Sequence, residues 1–242
     1  MKLNIYKDHP ELSYHAARLL FQTVQEKPRA LVCLATGETP SLTYAFFTAM
    51  ILDQKIDVSQ CSFIGLDEWV GIQPSNPGSC HHFLFQHIFA PLRLQSSQLH
   101  LFNALSTNLK EECNKMDDFI RSRGGIDVIV VGIGMNGHIG FNEPGVSPNL
   151  YAHVISLDEK TKTVGQKYFA EETSLSQGIT LGLRHFLDAR QAILLANGMK
   201  KAEIIRETLS SEISSLLPST FIRKHTNGVM MLDEAAASFI RK

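Results

Sequence analysis

Residues 127–145 read DVIVVGIGMNGHIGFNEPG, and how the second half of that stretch is read decides the fold. The opening DVIVV is a short apolar run of the kind a strand buried on both faces uses. Gly132-Ile133-Gly134-Met135-Asn136-Gly137 then matches the glycine fingerprint of dinucleotide-binding folds. That fingerprint requires a helix to start inside it, whereas HIGFNEPGVSP follows, with Pro144 and Pro148 barring a helix. Nucleotide binding is therefore rejected. The glycines are read instead as allowing a tight loop to approach a ligand closely.

Working outward, the same apolar theme recurs in LNIY near the start, ALVCLA at 30–35, CSFIGLD at 61–67 and RQAILLANG at 190–198. Helical periodicity falls between or after these runs, at 10–26, 41–52, 106–123, 199–210 and 233–240. Strand alternating with helix predicts an α/β fold with a mostly parallel sheet and helices on both faces. No repeat, low-complexity tract or linker divides the chain, so residues 1–242 are expected to form one domain.

The composition narrows the partners. Apolar residues make up 44% of the 242 residues and charged residues 19%, an ordinary globular balance. A formal net charge of -1 supplies no basic field for nucleic acid or anionic membrane. There is no signal peptide and no run of about 20 apolar residues, so a cytoplasmic protein is expected. Cys33, Cys61, Cys80 and Cys113 are widely spaced and read as reduced thiols, not as a disulfide or zinc framework. His81, His82 and His87 read as scattered helix histidines, and no catalytic metal is expected.

In such folds the turns beyond the carboxyl ends of the strands carry the chemistry. The turn Ala35 to Pro40 joins a strand to a helix, with Thr39 as the expected cap and Pro40 in the first turn. Its free N–H groups suit a phosphate, and a plain turn is the alternative. Asp67 and Glu68 end a buried strand, where partial burial would make a general base; a cap or loop ion pair is the alternative. His138 lies in the glycine loop beside Asn136, Asn142 and Glu143, a setting for acid/base work. Lys200 and Lys201 begin a helix, where basic residues oppose the dipole unless an anion is present.

The TG-x-TP turn, the LDEW segment, the Pro-Gly-Ser-Cys stretch and GxGxxGHIGFNEP occur in order over nearly the whole chain. On these motifs the sequence resembles the glucosamine/galactosamine-6-phosphate deaminase/isomerase family, and more closely its galactosamine-type branch. The resemblance implies a three-layer α/β/α, Rossmann-like fold and an amino-sugar phosphate as the small-molecule partner. It implies no cofactor, and leaves self-association into a homo-oligomer open. It further implies that Asp67 carries the C2 proton to C1, that His138 opens the ring, and that Glu143 positions His138. Phosphate would be held by Thr36, Gly37, Glu38, Thr39 and Lys201, with Gly137 in the binding loop. Lys167 matches a phosphate-contacting arginine of the deaminases.

One position departs from the glucosamine-type pattern: Asn136 stands where those enzymes carry an aspartate. An amide cannot stabilise imidazolium as a carboxylate does, so the relay must be rebuilt around Glu143. The galactosamine-type branch is similar here, with Asn-Gly-His, so galactosamine 6-phosphate is the expected substrate, giving tagatose 6-phosphate and ammonia. Glucosamine 6-phosphate, giving fructose 6-phosphate, is the alternative. A lactonase would not need the LDEW base, and a sugar-phosphate sensor would carry a DNA-binding segment for which the sequence leaves no room.

Overall fold

A computed structural model describes residues 1–240. Along the chain, β1 (Lys2–Tyr6) leads into α1 (His9–Glu26), β2 (Leu31–Leu34), α2 (Glu38–Asp53), β3 (Ser62–Gly65) and β4 (Asp67–Trp69). There follow α3 (Cys80–Leu84), β5 (Leu99–His100), α4 (Leu109–Ser122), β6 (Val128–Val131), β7 (His153–Ser156) and α5 (Glu159–Gly165). The order ends with β8 (Gln177–Thr180), α6 (Leu183–Asp188), β9 (Gln191–Ala196), α7 (Ala202–Ser210) and β10 (Gly228–Asp233). Seven parallel strands form the main sheet in the order β1-β10-β9-β6-β2-β3-β5. The expected α/β architecture is the observed one.

The continuous apolar runs follow from burial on both faces. In β2, Leu31 and Cys33 point into one layer while Val32 and Leu34 point into the other. In β6, Ile129 and Val131 join the first layer, and Val128 and Val130 the second. The first layer is closed by Met116 and Ile120 of α4, Phe186 of α6 and Ile205 of α7. The second is closed by Leu12, Ala16 and Leu20 of α1 with Tyr44, Phe47 and Ile51 of α2. Helix α1 starts where Asp8 accepts a hydrogen bond from Glu11 N at 3.0 Å, with Pro10 in the first turn.

Asp127 pins the amino ends of the strands. Its Oδ2 accepts from Leu31 N at 2.9 Å, and its Oδ1 lies 2.5 Å from Lys27 Nζ and 3.0 Å from Arg190 Nε. The aspartate opening the quoted stretch is thus a clamp at the end opposite the candidate chemistry.

Three local expectations are corrected. The strand expected over 61–67 ends at Gly65, and Asp67–Trp69 starts a second, antiparallel sheet in the order β4-β8-β7. Helix α2 starts at Glu38, because Gly37 turns the chain at φ 121°, so Thr39 lies inside the first turn and is not the cap. The helix expected over 233–240 is absent: β10 runs through Asp233, and 234–240 form successive turns. The Asp233 carboxylate binds Gly198 N at 3.0 Å and Ala236 N at 2.7 Å, which holds that turn against the end of β9. No helix among the described residues is long and apolar enough to cross a membrane.

Candidate active site

Strands β9, β6, β2 and β3 are consecutive neighbours and all parallel, so their carboxyl ends share one edge. The three turns singled out in the sequence meet there, joined by the Asn197–Lys201 segment after β9.

Beyond β3 the chain bends, and Asp67 pairs with Thr180 of β8. Adjacent side chains on a strand face opposite sides, and the two carboxylates part accordingly. Glu68 is buried and accepts backbone hydrogen bonds from Trp69 N at 2.9 Å, Cys80 N at 3.0 Å and His81 N at 2.8 Å. It anchors the start of α3 and is structural.

Asp67 has no such set of amides. Burial pushes its carboxyl up to about 7, the negative charge of Glu68 adds to the rise, and a hydrogen bond from the Cys80 thiol opposes it. A cavity of about 10 Å³ is lined by Asp67 together with Glu68, Cys80, His81 and Phe102, room for little more than one water.

The loop after β6 contains no helix, as its prolines demanded. It closes through Gly134 N donating to His138 O at 2.9 Å and Asn142 N donating to Ile139 O at 3.0 Å. The His138 ring lies flat against Gly134, where a Cβ would sit 2.4 Å from ring atoms Cε1 and Nε2. Gly137 adopts φ +81°, and a Cβ there would meet Leu217 Cδ1 at 2.2 Å. These two glycines are present because of close approach and backbone shape.

His138 Nδ1 lies 3.3 Å from Glu143 Oε2 and 3.1 Å from Thr161 Oγ1. Glu143 is 4% exposed. Burial would raise its carboxyl, but hydrogen bonds and charge from His138, with help from Thr161 and Asn136, hold it below the usual range. Asn136 donates through Nδ2 to Glu143 Oε2 at 2.9 Å and accepts from His138 N at 3.2 Å. Asn136 thus contacts Glu143 and the His138 backbone, leaving Glu143 and Thr161 as the partners of Nδ1.

At the carboxyl end of β2, no side chain caps α2, so its first-turn N–H groups open to the same edge. Thr36 Oγ1 donates to Cys80 Sγ at 3.2 Å, and Thr39 Oγ1 donates to Asn197 Oδ1 at 2.6 Å. Lys201 Nζ donates to Ile133 O at 2.6 Å, which ties the start of α7 to the end of β6. Burial, then the charge of Lys167, lowers Lys201 to about 8. Lys167 Nζ lies 3.3 Å from the exposed Glu38 carboxylate and 4.9 Å from the centre of the Tyr168 ring. Two lysines and an uncapped helix end therefore converge, with Glu38 as a competing acid.

Two contacting residues were given no role at the site from the sequence. Cys80 was read as a reduced thiol and as the end of the Pro-Gly-Ser-Cys stretch, and Thr161 not at all. Neither has a local signal: Cys80 touches Asp67 across 13 positions and Thr161 meets His138 across 23. His81 and His82 sit on α3 and His87 in the turn after it, and no cluster able to hold a metal occurs among the described residues.

Residues 9–231 match the family model for glucosamine-6-phosphate isomerases/6-phosphogluconolactonase. The chain is 37% identical over 242 residues to a glucosamine-6-phosphate deaminase of Thermoanaerobacter pseudethanolicus, covering 99% of this chain and 95% of that protein. It is 38% identical over 233 residues to the putative deaminase AgaI of Escherichia coli, covering 94% of this chain and 90% of the relative. The structure of a monomeric glucosamine-6-phosphate deaminase superposes with a TM-score of 0.95 at 32% identity, covering 99% of this chain and 100% of that one. A 6-phosphogluconolactonase from Trypanosoma brucei superposes with a TM-score of 0.80 at 17% identity, over 99% and 98% of the two chains, a likeness of fold alone. With a matched model spanning most of its length and deaminase relatives over nearly all of it, the chain is an enzyme of the glucosamine-6-phosphate isomerase/deaminase family.

Proposed function

We propose that the protein deaminates glucosamine 6-phosphate, giving fructose 6-phosphate and ammonia. The observation that carries the reading is the placement of Asp67, just beyond the carboxyl end of β3 at the shared sheet edge, where burial pushes its carboxyl up to about 7. A base poised near neutrality suits removal of a proton next to a carbonyl. Strand β6 lies two strand spacings from β3, roughly 10 Å, and the loop beyond its end carries His138 at the same edge of the sheet.

In this reading His138 shuttles the proton that opens the ring, exposing the C1 aldehyde. Asp67 takes the C2 proton as an enol forms across C1 and C2, then returns it to C1. The resulting C2 imine takes up water and releases ammonia, so the products are the ketose phosphate and ammonia. The phosphate rests on the first turn of α2 with Lys201 and Lys167, the two cations at that end of the site.

The gluco epimer is preferred over the galacto epimer expected from Asn136. Several relatives at 32–37% identity carry the glucosamine name, while the AgaI relative's name specifies no sugar. Asn136 is engaged by Glu143 and by the His138 amide, which supports its reading as a holder of the relay. Ammonia release from the two epimers, measured side by side, tests the reading. Faster release from glucosamine 6-phosphate is expected; preference for the galacto epimer overturns the choice of sugar, and release from neither overturns the activity.

A further inference from the structure

We propose that Thr161 is a positioning residue of the acid/base centre, its hydroxyl accepting a hydrogen bond from His138 Nδ1–H and donating one to the Glu143 carboxylate, so that Nε2 is left free for the sugar. The proposal rests on the deamination reading and deepens it.

The geometry points to this role in three ways. Thr161 is 5% exposed and its Oγ1 lies 3.1 Å from His138 Nδ1. Its hydroxyl is also among the groups that hold Glu143 in its charged form. A carboxylate only accepts and Nδ1–H only donates, whereas a hydroxyl does both, so Thr161 joins the two with no unpaired proton. Among the described residues none hydrogen-bonds His138 Nε2, while Nδ1 has both partners.

The second observation is where the hydroxyl reaches. Thr161 lies in the first turn of α5 and its hydroxyl crosses to the neighbouring loop, while Thr163 donates back along the helix to Glu159 O at 2.8 Å.

Third, the start of α5 is fastened to the catalytic loop just ahead of this contact. Asp158 N donates to Glu143 Oε1 at 3.3 Å, and Lys160 Nζ donates to Met135 O at 3.1 Å. The segment then runs on to Lys167 at the phosphate end, so the element that fixes the histidine also carries a cation for the anion. With an amide at position 136, the Thr161 hydroxyl supplies the second polar partner of Nδ1.

Two measurements test this. The first compares Thr161→Val and Thr161→Ser in ammonia release from glucosamine 6-phosphate across pH. Valine is expected to lower kcat about tenfold or more with KM changed little, because acid/base orientation is lost while binding is kept. Serine restores kcat. Wild-type kcat in the valine variant, or a serine variant as impaired as valine, overturns the proposal. The second uses no substrate: ¹⁵N shifts of the His138 imidazole, assigned by their loss in His138→Gln. Nδ1–H is expected in the wild type and a mixture of tautomers in Thr161→Val. A wild-type Nε2–H tautomer overturns the positioning role even where ammonia is released, and a protein that releases no ammonia but shows Nδ1–H fails only the functional reading.

Discussion

Cys80 Sγ lies 3.6 Å from Asp67 Oδ1, and the same sulfur accepts a hydrogen bond from Thr36 Oγ1 at 3.2 Å. A residue at the candidate phosphate turn is thereby connected through one thiol to the candidate base. Burial and the neighbouring carboxylates keep Cys80 far above the ordinary thiol range, so it stays protonated and acts as a donor to Asp67.

Cys80→Ala removes the one contact that lowers Asp67. The Asp67 carboxyl should then lose its proton at higher pH, and the acid limb of kcat/KM for ammonia release should move above its wild-type position near 7. A limb that stays in place or moves down would separate the thiol from the base.

Asp67 also sets a pH dependence of stability. Its folded value, about 7, lies above the ordinary 3.8. The folded state therefore favours the proton, and that contribution is full below about pH 4 and lost as pH rises through 7. A shift of this size corresponds to at most about 4 kcal/mol. Urea unfolding of the wild type should show this term falling between those pH values, and Asp67→Asn should remove it. Equal pH slopes in both proteins over that window would contradict a carboxyl raised by burial at Asp67.

Lys201 should make phosphate binding pH-sensitive on the alkaline side. Burial holds it at about 8, so the free enzyme loses this charge as pH rises through that value. KM for the sugar phosphate should climb above pH 8, and Lys201→Met should raise KM about 10- to 100-fold, the worth of a charge-assisted hydrogen bond, and flatten the climb. An unchanged KM in the variant would remove Lys201 from the anion site.

Gly134→Ala places a methyl 2.4 Å from the His138 ring and must displace it. Gly134 is not among the positive-φ glycines, so its backbone accepts alanine. A displacement of this kind should cost about 100-fold in kcat with a small change in melting temperature. Gly132→Ala is the control, since nothing lies within 4 Å of its added Cβ. Equal activities in the two variants would show that His138 need not rest on Gly134.

The sheet was legible because β2, β6 and β9 are buried on both faces, which writes them as unbroken apolar runs ended by glycine or polar turns. The meeting of the three turns followed from parallel topology alone. The second sheet was not legible: β4 has three residues and β7 and β8 four each, too short to carry a period. The split between Asp67 and Glu68 was hidden for the same reason, since it depends on which side of β4 meets the amides of α3. Thr39 looked like a cap because Pro40 follows it, yet Gly37 turns the chain two residues sooner. His138, Glu143 and Asn136 lie within one short loop and announced each other; Cys80 and Thr161 reach the site from distant elements.

The decisive measurement is proton transfer at C2. The protein is incubated with glucosamine 6-phosphate in deuterium oxide, and ammonia and the ketose product are followed by NMR. The wild type should release ammonia and fructose 6-phosphate, with loss of the C2 proton, while Asp67→Asn still binds the sugar phosphate and leaves that proton in place. Exchange of the C2 proton by Asp67→Asn at the wild-type rate, or no ammonia from the wild type, would contradict a deaminase that works through Asp67.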